Sequence, residues 1–232
     1  HRDLHSFPTR RSSDLAALAA VFGDAAPKPF AIAGDTGERL TVYAYADHDL
    51  AALRAACDPL APPDVDRLID WDAAAGKPMP ALAAGSRVGF SLRACPTVRL
   101  GRDPAGGKQP GAEVDAYVGA LDKWAALPGP RPPEPERAAV YTGWLRAALE
   151  RAGGVAVEDA RVVGFRRETL LRKAERRGDD ARPRSLRERP AATFEGVVRV
   201  TGPEAFRALL ARGIGRHRAF GFGMLMLRRA PC

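Results

Sequence analysis

Two successive sets of the same element signals, and a glycine-rich run that ends in a terminal apolar strand, predict an α+β fold of two βαββαβ units in tandem. That element order is the ferredoxin-like, RRM-like arrangement, with the first unit lacking its native first strand. The expected divisions are a non-native segment at 1–15, an incomplete N-terminal unit at 16–82 and a C-terminal unit at 83–232 that carries a basic arm and a glycine-rich loop. A chain of 232 residues with 46% hydrophobic content has enough apolar side chain for such cores.

The opening residues do not fit this plan. His5-Ser6-Phe7-Pro8-Thr9-Arg10-Arg11-Ser12-Ser13-Asp14-Leu15 back-translates, codon by codon, onto common sequencing-adapter text, so 1–15 is read as non-native and His1 and His5 are set aside as catalytic candidates. From Ala16 to Phe22 the pattern is helical and is closed by Gly23. Phe30–Ala33 and the β-former-rich Leu40–Tyr45 flank the turn Gly34-Asp35-Thr36-Gly37 and predict a hairpin. Asp49 caps a short helix to about Ala56, and Val65–Trp71 is expected as a closing strand.

The second set starts with the alternating strand Arg87–Ala94, stopped by Pro96, and a Gly/Pro-rich connection then runs to about Gly111. Glu113–Trp124 is expected as a helix. The helix Ala138–Arg151 is the best defined, with Val140, Tyr141, Trp144, Leu145 and Leu149 at helical spacing. A strand at Ala160–Phe165, a charged insertion, a strand at Thr193–Val200, a helix at Pro203–Ala211 and a strand at Phe222–Leu227 complete the unit.

Charge is distributed unevenly. Residues 161–232 hold 18 of the 36 Lys/Arg but only 7 of the 28 Asp/Glu, so this stretch carries +11 and everything before it −3. Within it, Arg161–Arg189 has 11 basic and 5 acidic residues, and its insertion is expected to project as an extended hairpin or arm. Such a basic footprint suits a phosphate backbone, with Arg166, Arg167, Arg172, Lys173, Arg176 and Arg177 as candidate contacts. An arm of that length suits the groove of A-form RNA.

The glycine run is Gly213-Ile214-Gly215-Arg216-His217-Arg218-Ala219-Phe220-Gly221-Phe222-Gly223. Glycines permit positive φ and close backbone approach, and Arg216, His217 and Arg218 bring donors to the same place, a combination suited to anions. A dinucleotide cofactor is excluded by order, because a helix precedes the glycines and a strand follows them. The same run also suits a tight turn with ordinary surface arginines, and the stretch itself does not separate the two readings. Cys57, Cys95 and Cys232 are few, far apart and without a nearby histidine, so neither metal nor cofactor is expected. With no transmembrane run and no signal peptide, a cytoplasmic location away from the membrane is expected.

The glycine run through Leu225 resembles the C-terminal signature of the CasE family, the CRISPR repeat-processing endoribonuclease of the type I-E Cascade complex. Phe90-Ser91-Leu92-Arg93-Ala94-Cys95-Pro96-Thr97, Tyr141 with Trp144-Leu145, and Thr193-Phe194-Glu195-Gly196-Val197 extend the resemblance, although Cys95 stands where the family has an asparagine. It implies two ferredoxin-like domains, a repeat RNA stem-loop as substrate and other Cascade subunits as partners. It further implies metal-independent cleavage by the neighbouring 2′-hydroxyl, leaving a 2′,3′-cyclic phosphate. The family's acid/base histidine lies seven residues before the end of the first helix; counted back from Phe22 this is Leu15, so the chain is expected to be catalytically impaired. His48 reads as a turn or capping residue and His217 as a phosphate contact, and neither is assigned to catalysis. The alternative is a noncatalytic RNA-binding subunit of a ribonucleoprotein complex.

Overall fold

The computed structural model describes residues 21–22, 25–36, 40–57, 69–102, 104, 107–170 and 187–231. Val21 and Phe22 are helical and buried, and the rest of the helix expected from Ala16 lies outside the described residues. Phe30–Asp35 (β1) and Leu40–Ala44 (β2) form the expected antiparallel hairpin. Leu50–Ala55 (α1) follows, and the Asp49 carboxylate accepts the Ala52 amide hydrogen at 2.8 Å, the capping bond read from sequence.

The main sheet belongs to the second half of the chain. Its elements are Arg87–Ala94 (β3), a small hairpin of Thr97–Arg99 (β4) and Glu113–Asp115 (β5), the helices Ala116–Ala125 (α2) and Arg137–Ala152 (α3), and the long strands Val155–Leu170 (β6) and Arg187–Val200 (β7). Pro203–Arg212 (α4), a 3₁₀ turn at Arg218–Phe220 and Leu225–Arg229 (β8) complete it. The strands pair antiparallel in the order β8-β3-β7-β6. Numbered within the unit, this is 4-1-3-2 with α3 and α4 as crossovers, the βαββαβ topology expected from sequence.

One core locks this unit. Tyr141, Leu145 and Leu149 recur every fourth residue on α3 and are fully buried, as are Phe206, Leu209 and Leu210 on α4 to within 2% exposure. They meet Phe90 and Leu92 of β3, Phe194 and Val198 of β7, and Leu225 of β8, in one cluster. The strand residues alternate, so one sheet face carries the apolar set. The first half of the chain is fastened to the same body, because the Tyr45 hydroxyl donates to the Leu225 carbonyl at 3.0 Å.

Several boundaries differ from those expected. The connection after Pro96 contains β4 and β5, and the helix expected from Glu113 begins only at Ala116, because the Asp115 side chain accepts the Tyr117 amide hydrogen at 2.8 Å and so caps it. Strands of three residues show no periodicity to read. The strand expected at Ala160–Phe165 runs from Val155 to Leu170; register shifts at Val157/Asp159 and Val162/Gly164 interrupt its alternation. The last strand starts at Leu225 rather than Phe222, since Gly223 at φ 87° is still turning. Residues 69–71 are bend and turn, not strand, and most of the expected Val65–Trp71 strand lies outside the described residues.

Gly196 shows why Thr193-Phe194-Glu195-Gly196-Val197 reads as it does. A Cβ there would lie 2.2 Å from the Asp159 carbonyl oxygen and 2.8 Å from the Phe90 ring, at the first irregularity of β6. Gly196→Ala is expected to destabilise the fold by about 3 kcal/mol, the upper end of overpacking effects. A denaturant midpoint shift under about 0.5 kcal/mol equivalent, at unchanged slope, would refute this packing.

Candidate nucleic-acid interface

The arm is a continuation of the sheet. β3 stops pairing with β7 at Ala94–Ala192, whereas β6 and β7 pair on from Arg166–Ala191 to Leu170–Arg187, so beyond that point they form a two-stranded ribbon. Arg166 and Arg167 stand on this ribbon with side chains 56% and 57% exposed. Arg172, Lys173, Arg176 and Arg177 lie outside the described residues, as does Leu15.

A buried polar joint connects the base of the ribbon to the glycine loop. Glu168 pairs with both Arg93 and Arg166, while the Arg93 guanidinium lies 4.1 Å from the centre of the Phe222 ring and donates to the Gly221 carbonyl at 3.4 Å. A second joint centres on Glu113 of β5. Its carboxylate meets Arg189 of β7 at 3.6 Å, Nε2 of His217 at 2.8 Å, and Arg216 in a close ion pair. Burial alone raises the Glu113 carboxyl, but the hydrogen bond from His217 and the charges of His217, Arg189 and Arg216 outweigh it and hold the group below its ordinary value.

These joints place the loop residues more inward than the sequence implied. His217 has a side chain only 9% exposed and a backbone at φ 61°, a conformation that costs a non-glycine residue on the order of 1 kcal/mol and is held here by Glu113. Arg216 is tied to Glu113, and Arg218 donates to the Arg212 carbonyl at the end of α4. Gly213, Gly215, Gly221 and Gly223 all have φ between 70° and 87°. At Gly223 the constraint is also steric, since a Cβ would lie 2.3 Å from the Ile214 carbonyl oxygen, and the Gly223 carbonyl accepts from the Ile214 amide at 2.8 Å. Gly215 and Gly221 pack against Trp144 and Phe30. The loop is therefore a braced turn that presents a cationic rim.

Other motif residues act as supports. The Tyr141 hydroxyl donates to Asp115 at 2.9 Å and accepts from Arg137 at 2.9 Å, and the Trp144 indole donates to the Thr97 carbonyl at 3.1 Å. Cys95 is fully buried beside Ala191 and Phe222, and burial pushes its thiol up to about 12, so it is an inert packing group. His48 is exposed in a bend. No group of three or more metal-ligating side chains gathers among the described residues. Sequence reasoning missed Glu113, Arg93 and Arg189 as site residues. The Phe90–Thr97 motif pointed at Arg93, but no local pattern links Glu113 to partners far along the chain.

A family model described as CRISPR associated protein matches residues 16–229. The chain belongs to this family. A relative of the same kind, the CRISPR-associated endoribonuclease Cse3 of Thermus thermophilus, is 32% identical over 148 residues, 63% of this chain and 57% of the relative. The chain thus matches a little over half of that relative's length. Among solved structures, CRISPR endoribonuclease Cse3 bound to a 19 nt RNA is 20% identical with a TM-score of 0.55, covering 94% of this chain and 90% of that one. A chain of a CRISPR RNA-guided surveillance complex is 19% identical with a TM-score of 0.54, covering 97% and 95%. These likenesses show the family fold, two ferredoxin-like units in tandem.

The Glu113 joint gives a pH signature. A carboxyl depressed in the folded state stabilises the fold above its unfolded value, ordinarily 4.5, and that contribution is lost as pH falls through the folded value. Glu113→Gln is expected to cost about 2 kcal/mol at pH 7, as for hydrogen bonds to charged groups. The gap between the two proteins should narrow as pH falls below the ordinary 4.5 and close once it passes the folded value. A gap that stayed constant from pH 7 to pH 3 in urea titrations would remove the carboxylate from this role.

Proposed function

We propose that this chain binds the stem-loop of a CRISPR repeat transcript, that it is by descent an RNA-processing endoribonuclease, and that it works in the cytoplasm as a subunit of Cascade. The observation that carries this is the family match over 16–229, which spans the ribbon and the braced loop together. In support, one relative is named as a CRISPR-associated endoribonuclease, a Cse3 of the same fold is bound to RNA, and another such chain sits in a CRISPR RNA-guided surveillance complex. No helix among the described residues is long and apolar enough to cross a membrane.

The RNA would lie along the ribbon. Arg166 and Arg167 point cations toward a phosphate backbone, and Arg172, Lys173, Arg176 and Arg177 continue that charge in sequence. Arg216, Arg218 and Gly215 form the other edge, while His217, Gly213, Gly221 and Gly223 are enclosed and hold that edge in place. Cleavage in this reading is attack of the 2′-hydroxyl on the adjacent phosphate. The hydroxyl proton must go to a base, the leaving oxygen must gain a proton, and cations must offset the extra charge of the transition state. No metal is required in that scheme.

The position for the acid/base histidine is Leu15, whose side chain exchanges no proton. That favours a second reading, a noncatalytic RNA-binding subunit on the same fold. General acid/base help is typically worth ~10² to 10⁴-fold, so the chain is expected to bind repeat RNA and cut it slower by about that factor.

Two measurements check this. Replacing Arg166, Arg167, Arg172 and Lys173 with alanine should lower the salt slope of stem-loop binding by about 0.9 for each phosphate that these side chains neutralise; an unchanged slope removes the ribbon from the interface. Leu15→His should recover single-turnover cleavage in EDTA. Comparable cleavage by the unsubstituted chain would place the reacting groups elsewhere, and cleavage that needs a divalent ion would overturn the metal-free scheme.

A further inference from the structure

Beside the ribbon lies an open groove of about 600 Å³, a volume suited to one or two nucleotides, one wall of which is the glycine loop. Its walls are β4, the Trp144–Ala152 side of α3, and Arg212–Arg218 at the end of α4. Arg99, Arg151, Arg212, Arg216 and Arg218 line it, and no carboxylate among the described residues does. Glu113 neutralises Arg216 from one side, and Arg218 is engaged with the Arg212 carbonyl. Arg151 donates only to Ala147 of its own helix, and Arg99 and Arg212 form no ion pair with described residues. Three exposed arginines therefore line one concavity with no acidic partner among the described residues.

Two further observations point to a ligand. Trp144 lines the groove half-buried, so the cationic wall includes aromatic surface, the pairing by which single-stranded nucleic acid is held: phosphates on cations and a base on a ring. Thr97 also lines it, and its hydroxyl is the one buried side-chain polar atom among the described residues without a hydrogen-bond partner. The indole also has a structural part, stacked on Phe194 with its N–H donating to the Thr97 carbonyl, and an acidic protein segment would use the arginines but not the part of the ring that lines the groove. A duplex is too wide for the volume.

We infer that this groove holds single-stranded RNA flanking the repeat stem, with its phosphates on Arg99, Arg151 and Arg212 and a base against Trp144. The inference rests on the reading that the chain binds a repeat stem-loop. It adds a second subsite that recognises the unpaired strand, so affinity depends on RNA beyond the hairpin.

The test compares a bare repeat stem-loop with the same stem-loop carrying six unpaired uridines on its 5′ or 3′ side, each with a 2′-deoxy nucleotide at the stem base to prevent cleavage. One extension should tighten binding by about tenfold or more and steepen the salt slope by about 2, as neutralising three phosphates on a single strand requires. In Arg99→Ala/Arg151→Ala/Arg212→Ala both gains should vanish while the bare stem-loop still binds. The triple lysine variant should keep the salt slope, which separates lost charge from lost fold. A wild-type chain that binds the stem-loop but gains nothing from either extension overturns the subsite and leaves the proposed function standing, as does a gain that persists in the alanine variant. Binding of poly-glutamate with the same arginine dependence, and no gain from RNA, reassigns the groove to an acidic protein partner. A chain that binds neither RNA fails the proposed function, and the subsite with it.

Discussion

The Glu113 carboxylate is the interaction on which the cationic surface depends. A loop with arginines at 216 and 218 beside a ribbon with arginines at 166, 167 and 189 would repel itself if every charge faced solvent. Glu113 draws Arg189, Arg216 and His217 onto one anion, and Glu168 does the same for Arg93 and Arg166. Two carboxylates thereby fix the ribbon base and the glycine loop in one relative position. The surface stays strongly basic because only part of its charge is consumed.

This arrangement separates enclosed basic groups from exposed ones. Arg93, Arg189 and His217 are largely enclosed and hold elements together, whereas Arg166 and Arg167 stand out from the ribbon. In such a scaffold the cost of ordering the loop is met on folding, and a phosphate backbone meets donors already in place. The glycines serve the same end. They let the turn close against Trp144, Phe30 and Ile214, which a side chain at those positions would prevent.

Much of this was legible in the sequence. The alternation of Arg87–Ala94, the stripe Tyr141–Leu145–Leu149 and the Pro203 start of α4 are local signals, and local rules read them correctly. The glycine run and the basic arm were visible as composition. Neither the tie between Glu113 and residues over seventy positions away nor the inward turn of His217 could be read, because both are decided by tertiary pairing. Short strands such as β4 and β5, and the interrupted alternation of β6, escaped for the same reason: pairing partners, not periodicity, define them.

The central claim is that the ribbon and the braced loop form one RNA-binding face. Hydrogen exchange of the chain with and without a repeat stem-loop tests it most directly, since both segments have backbone amides that report burial. Slowed exchange at 166–170, 187–189 and 213–223, with the α3 and α4 core amides unchanged, is the result the account predicts. Protection confined to other surfaces, with these segments exchanging as in the free chain, would contradict it.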